Sequence, residues 1–299
     1  MYDVLILGAG PAGLSAAIYA SRYGLSAVVI AKGLGMVAEI GDVENYPGIY
    51  PVKGQKLITK FRKHAKKFRA NMVDDEILSI EKKGKTFTAK TRSSEFSGKA
   101  MIYALGSSKK KMGLKEEARF IGKGISYCAT CDAALFRGKT VAVLGGANSA
   151  ITTAIILSGF AKKVYIIYRR GKFRAAPSLT DKIRMLKNVE VLFNSTVTKI
   201  EGKSVLDAAV IKTKGKSRRI DLDGMFVEFG YEPNSALAKK LGVKTGKNGR
   251  IIVKNNMSTN IPGVFAAGNV TTGSNTFDQI ITAAAEGAIA AYSVYRFLT

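Results

Sequence analysis

Apolar residues along this chain fall into short β-branched runs, each followed by a glycine-rich break and a small-residue segment. Residues 3–32, DVLILGAGPAGLSAAIYASRYGLSAVVIAK, show the plan once, and residues 140–170, TVAVLGGANSAITTAIILSGFAKKVYIIYRR, show it again. Each copy predicts a strand, a glycine turn, an alanine-rich helix and a second strand. The distance from Gly8 to Ala31 equals that from Gly145 to Tyr168. A third stretch, 260–291, reads as strand, glycine turn, loop and a helix packing closely through Ala283, Ala284, Gly287 and Ala288. Leu57, Ile58, Phe61, Ala65 and Phe68 recur at helical spacing, which predicts a core-packed helix whose wet face carries the basic residues of KFRKHAKKFR (60–69). The fold class these patterns predict is α/β, with two Rossmann-like dinucleotide-binding domains.

A βαβ unit of this kind presents helix N-terminal amides to a pyrophosphate. One match is weak evidence, but two with the same internal spacing argue for two dinucleotide sites. The first carries the full fingerprint Gly8, Gly10 and Gly13, with Gly10 allowing close backbone approach and Gly13 close helix–strand packing. Its second strand ends at Ala31 rather than at the acid that would hold a ribose hydroxyl. In the second copy Ala147 and Ala150 replace the middle and last glycines. The Ala147 methyl crowds the turn, and a glycine-like backbone there would cost about 1 kcal/mol. Arg169, Arg170 and Arg174 stand at the ribose position, which suits a 2′-phosphate and hence NADP. Near Asp278 and Gln279 a helix N-terminus offers free amides and a positive dipole end, suited to the negative edge of a reduced flavin.

The chain has 299 residues, enough for two domains, with 46% apolar and 23% charged residues. No apolar run approaches the roughly 20 residues of a membrane helix, and the start runs straight into a strand without a secretory signal, so no membrane association and a cytoplasmic location are expected. The charge is extreme: 47 Lys and Arg against 22 Asp and Glu, a net +25. The basic residues are dispersed and no nucleic-acid module is visible, so no nucleic-acid partner is expected. Most of the charge reads as solvated surface, with steering of an acidic protein partner as the alternative.

The only two cysteines, Cys128 and Cys131, lie in GISYCATCDAALF (124–136). Such a pair is a zinc half-site, a staple or a redox centre. A zinc site lacks ligands, because structural zinc takes four Cys or His groups and His64 is the chain's only histidine. No metal is expected, although a zinc bridging two copies stays open. Disulfide exchange needs a thiolate, which CxxC geometry and local positive charge favour, and the neighbouring Asp132 can shuttle the proton of each exchange.

The combination of GAGPAG (8–13), VENYPG (43–48), SYCATCD (126–132), YRRGKFRA (168–175), GYEPN (230–234), FAAGNV (265–270) and FDQIITAAAEGAIAA (277–291) resembles the low-molecular-weight, prokaryote-type thioredoxin reductases over essentially the whole chain. The resemblance implies an FAD domain made from residues 1–111 and 236–299. An NAD(P) domain at 112–235, carrying the CxxC pair, is inserted into it. It implies a homodimer in which electrons pass from NADPH to FAD, to the Cys128–Cys131 disulfide and on to thioredoxin or a glutaredoxin-like protein. Cys131 would face the flavin, Cys128 would attack the partner disulfide, and Asp132 would transfer the proton. FAD would be held by Gly8, Gly10, Pro11, Ala12, Gly13, Met36, Val37, Asn45, Gly268, Asn269, Gln279 and Ile280. The nicotinamide nucleotide would be held by Gly145, Gly146, Asn148, Ser149, Arg169, Arg170 and Arg174. The chain departs from the family pattern at Asn269 for Asp, Met36 for Gln and Asp278 for Arg, and ITTA (151–154) lacks the usual acids after the second turn. A ferredoxin or reduced deazaflavin donor, or a non-enzymatic flavin redox sensor, are the competing readings.

Overall fold

The computed structural model describes residues 1–40 and 42–299. The chain opens with β1 (Tyr2–Leu7), α1 (Pro11–Arg22) and β2 (Ala27–Ala31). A short hairpin of β3 (Asp42–Val43) and β4 (Val52–Lys53) leads into α2 (Gly54–Lys67). Then come β5 (Asn71–Asp74), β6 (Ile77–Lys83), β7 (Thr86–Thr91), β8 (Glu95–Tyr103) and β9 (Ser107–Lys109). The middle of the chain carries α3 (Glu117–Phe120), β10 (Ile125–Ser126), α4 (Ala129–Asp132), β11 (Thr140–Leu144), α5 (Asn148–Ser158), β12 (Lys163–Tyr168), α6 (Pro177–Met185) and β13 (Val189–Phe193). After it run β14 (Ser195–Glu201), β15 (Ala208–Thr213), β16 (Lys216–Asp221), β17 (Gly224–Val227) and β18 (Tyr231–Pro233). The chain closes with α7 (Ala236–Lys240), β19 (Val264–Ala266) and α8 (Ile280–Leu298).

These elements divide into two compact units, Met1–Ser108 with Glu232–Thr299, and Lys109–Tyr231. The chain thus crosses at 108/109 and 231/232, three and four residues before the positions expected from the sequence. The crossings fall inside β9 and β18 rather than in the segments that follow them.

In the first unit the described residues form a seven-stranded sheet in the order β5-β2-β1-β8-β7-β6, with β19 added to β8. Strands β5, β2, β1, β8 and β19 run parallel, while β6, β7 and β8 pair antiparallel. Alternation along β1 decides the layers, because successive side chains point to opposite faces. Val4 and Ile6 meet Ala16, Ala17, Ala283 and Ala290 of α1 and α8, whereas Leu5 and Leu7 join Phe87 and Tyr103 on the other face. Small residues let α1 and α8 pack directly on each other and on the sheet. As the spacing predicts, α2 buries Leu57, Ile58 and Ala65 and leaves Lys56, Lys60, Lys63, Lys66 and Lys67 exposed.

The second unit holds a five-stranded parallel sheet in the order β10-β17-β11-β12-β13 and a three-stranded antiparallel sheet, β14-β15-β16. Val141, Val143 and Ile166 face α5, while Ala142, Leu144 and Met225 pack with Ile200, Ala209 and Ile211 of the antiparallel strands. The carboxyl ends of β17, β11 and β12 therefore sit side by side, with the second glycine turn at the middle strand. Among the described residues no helix is long and apolar enough to cross a membrane.

Candidate active site

Cys128 and Cys131 are joined in a disulfide with their Cα atoms 5.3 Å apart. Cys128 is extended (φ −138°, ψ 96°) and caps the single turn α4, whose last residue is Asp132. Its carbonyl accepts the Cys131 and Asp132 amides at 3.3 and 3.1 Å, which winds the CxxC segment into one turn. Buried Ser126 donates from its hydroxyl to Asp132 Oδ2 at 2.7 Å, and its Oγ accepts the Cys128 amide at 3.0 Å. One serine thus ties the backbone of the first cysteine to the carboxylate beside the pair. Buried Glu117 anchors the approach to it by accepting the amides of Met112 and Gly113 at 2.9 and 2.8 Å and the Tyr127 hydroxyl. Asp132→Asn is expected to slow dithiol turnover roughly ten- to a thousandfold, the usual scale of a lost proton-transfer group. The check is steady-state turnover with a thioredoxin disulfide, and an unchanged rate would make Asp132 a spectator.

In the first unit β1 ends in the turn that starts α1, with Gly10 as N-cap and Pro11 at the first helical position, where a missing amide hydrogen costs nothing. Gly13 is fixed by close approach, since a Cβ there would lie 1.8 Å from the Gly8 carbonyl oxygen. At Gly10 a Cβ would meet no protein atom within 4 Å, so the backbone of the helix start opens on space suited to a diphosphate. Gly268 joins this turn: a Cβ on it would come 3.0 Å from the Ala12 methyl. Met36 and Val37 form a 3-10 turn, Val37 in the same buried cluster as Ala12 and Ala283, and Met36 Sδ lies 3.9 Å from the Ser107 hydroxyl. Asn45 donates to Gln279 Oε1 at 2.9 Å, and Gln279 caps α8 in a reciprocal box with Thr282, just before Ile280. All the residues expected to hold the flavin therefore lie in this one unit, most of them at the first turn and the start of α8.

Two features there escape the sequence. Asp278 puts no free negative charge beside the helix, because Arg250 clamps it with two hydrogen bonds, 2.9 and 2.5 Å, and also donates to the Asn269 and Thr271 carbonyls. Glu286, buried on α8, accepts the Gly268 amide at 2.7 Å and the Thr271 hydroxyl at 3.0 Å, fixing the loop that carries Asn269. Neither contact leaves a local signal: Arg250 lies 28 residues before its partner.

In the second unit the turn after β11 opens a pocket of about 490 Å³. Gly145, Gly146, Ala147 and Ser149 line one wall, and Lys110, Lys111, Arg169, Arg170 and Arg174 contribute the positive charge. Asn148 lies beside the turn and accepts the Ala176 amide at 2.9 Å, while the Arg174 amide donates to the Gly146 carbonyl at 2.7 Å. These bonds pin the arginine loop to the turn. Among the described residues Arg169, Arg170 and Arg174 have no ion-pair partner. The backbone of Ala147 is extended (φ −102°, ψ −179°), a conformation open to any residue, so the strain expected at this substitution is absent. Gly146 is the constrained position: a Cβ would strike the Tyr168 ring at 2.4 Å. The structure thus gathers all seven residues expected at the nucleotide turn. It adds Lys110, Lys111, Tyr168 and Glu228, which pattern reading did not select.

Comparison with known proteins gives a consistent picture. A family model described as pyridine nucleotide-disulphide oxidoreductase matches residues 2–287. The thioredoxin reductase of Bacillus subtilis is 39% identical over all of this chain and 95% of its own. The crystal structure of Lactococcus lactis thioredoxin reductase (FR conformation) superposes with a TM-score of 0.88 at 32% identity, covering 100% of this chain and 99% of the other. That of T. acidophilum thioredoxin reductase gives 0.83 at 37% identity, covering 99% and 98%.

Proposed function

This chain belongs to the pyridine nucleotide-disulphide oxidoreductase family and is a thioredoxin-disulfide reductase; from that premise we propose that its electrons run from NADPH through FAD to Cys128–Cys131 and on to thioredoxin or a glutaredoxin-like dithiol protein. The observation that carries this route is the disulfide held beside Asp132 in the same unit as an arginine-lined nucleotide turn. We assign FAD to the unit formed by both ends of the chain and the nicotinamide nucleotide to the inserted one. Bound FAD would supply the hydride-to-electron-pair conversion that links a nicotinamide to a disulfide.

The chain's own residues account for the rest. The α1 amides beyond Gly10 would hold the FAD diphosphate, and the positive end of α8, capped by Gln279, would favour negative charge on the bound ring. Asn269 keeps an acceptor for the ribityl chain. Cys131 takes the electron pair as the disulfide opens, leaving Cys128 as a thiolate. Cys128 Sγ then attacks the partner disulfide, forming a mixed disulfide and releasing one partner thiolate. Cys131 Sγ attacks Cys128, restoring the intramolecular bond and releasing the second. Asp132, oriented by Ser126, holds and returns the proton. A cytoplasmic setting with a reducing nucleotide pool suits this cycle. The exposed aromatic and aliphatic side chains Tyr19, Ile289, Tyr292 and Phe297 on α1 and α8 support pairing of two copies through the first unit.

Purified protein is expected to be yellow, with about one FAD per chain, as the single full glycine fingerprint requires. Anaerobic NADPH should bleach it, and oxidised thioredoxin should restore the colour. A stably folded, colourless preparation that takes up no FAD would overturn the reading.

A further inference from the structure

One half-buried acid of the second unit, Glu228, has no part in the route above. Glu228 follows β17 directly, lines the same pocket as the arginines, and accepts the hydroxyl of buried Thr153 at 3.0 Å. Burial pushes its carboxyl up from the ordinary range, while the Thr153 hydroxyl, the Lys109 charge and the Ser149 hydroxyl oppose that rise. A carboxylate has roughly four acceptor sites, and two hydroxyls leave capacity directed at the pocket.

Topology says which part of a ligand this acid meets. Leu144 of β11 is in register with Ile167 of β12 on one side and Val227 of β17 on the other. Arg169 and Arg170 therefore lie beyond one flank of the glycine turn and Glu228 beyond the opposite flank. Adjacent strands are about 4.8 Å apart, so the two flanks stand on the order of 10 Å apart with the α5 amides between them. A dinucleotide laid across the strand ends, phosphates on α5 and adenosine phosphate at the arginines, brings its other nucleoside to Glu228. A phosphate at that flank would face a like charge in a partly desolvated pocket, whereas ribose hydroxyls or a carboxamide NH₂ would donate to it.

Resting on the nicotinamide-nucleotide reading of this pocket, we propose that Glu228 is a specificity-determining residue that accepts hydrogen bonds from the donor groups of the nicotinamide nucleoside. The test is calorimetric binding of two probes to the FAD-loaded protein: NADP⁺, and 2′,5′-ADP, which lacks the nicotinamide nucleoside. Glu228→Ala is expected to weaken NADP⁺ binding about tenfold, the loss of one hydrogen bond to a charged group, and to leave 2′,5′-ADP within about twofold. Glu228→Gln, which retains a carbonyl acceptor and the Thr153 contact, should fall between. Equal losses for both probes would make Glu228 a support of the turn and overturn the proposal, as would no loss for either. Native protein that binds neither probe would overturn the nucleotide reading itself, an outcome separate from native binding that the variants fail to alter.

Discussion

Cys128→Ser and Cys131→Ser are each expected to abolish thioredoxin reduction while leaving FAD bound at its native stoichiometry. The loss is complete rather than graded because the exchange needs two sulfurs. One must open the partner disulfide and the other must close on the first to release it. The flavin contacts assigned above lie in residues 1–108 and 232–299, whereas both cysteines lie in 109–231, so FAD content should not follow activity. The two variants differ in what remains. Cys128→Ser leaves Cys131, assigned the electron-receiving role, free as a thiol able to perturb the flavin absorption band. Cys131→Ser leaves Cys128, assigned the partner-facing role, which should instead trap a mixed disulfide with thioredoxin. The measurements are the visible spectrum of each variant and non-reducing electrophoresis after incubation with oxidised thioredoxin. A flavin perturbation confined to Cys131→Ser would reverse the assignment, and retained turnover in either variant would end the dithiol mechanism.

The elements that carry repeated pattern were legible, and those that depend on distant partners were not. Strand, turn, helix and strand appear at both copies because a glycine turn and a small-residue helix are dictated by local sterics: Gly13 is forced by the Gly8 carbonyl, and Pro11 fits only at a helix start. The start of α8 follows from Gln279 and Thr282, which cap it locally. By contrast, the antiparallel strands β6, β14 and β16 carry only weak alternation, much of it polar, which predicts no element by itself. Substituted site residues were legible as departures but not as outcomes. Asp278 in place of Arg reads as a change of charge beside the flavin site, but Arg250, in another loop, neutralises it. Ala147 stands where glycine is usual and would be strained only in a glycine-like backbone, yet its backbone is extended and the steric demand falls on Gly146, against Tyr168. Glu228 carries no signal in the chain at all, since its role depends on β17 lying next to β11.

Arg169→Ala combined with Arg170→Ala is expected to erase a preference for NADPH over NADH in flavin reduction, lowering kcat/KM for NADPH roughly thirty- to a hundredfold with little change for NADH. Both residues sit just past the end of β12, at the flank where the adenosine ribose of a dinucleotide on this turn belongs, and among the described residues neither is neutralised by an acid. A guanidinium contact to phosphate contributes about 1.5–3 kcal/mol when desolvated. Both arginines are exposed, so about 1–1.5 kcal/mol each is the appropriate discount, and two such contacts give the stated range. Arg174 remains in the double variant, tethered through its amide to Gly146, and should preserve residual binding. Nothing at Ala147 opposes the nucleotide by strain, so the native preference should be expressed in full. Stopped-flow reduction of the flavin by each nucleotide, at several ionic strengths, measures the effect. The NADPH rate should fall as salt rises in native protein and lose that dependence in the variant, because the phosphate contacts being removed are the screened ones. An undiminished NADPH preference in the double variant would return these arginines to the solvated surface of a strongly basic protein.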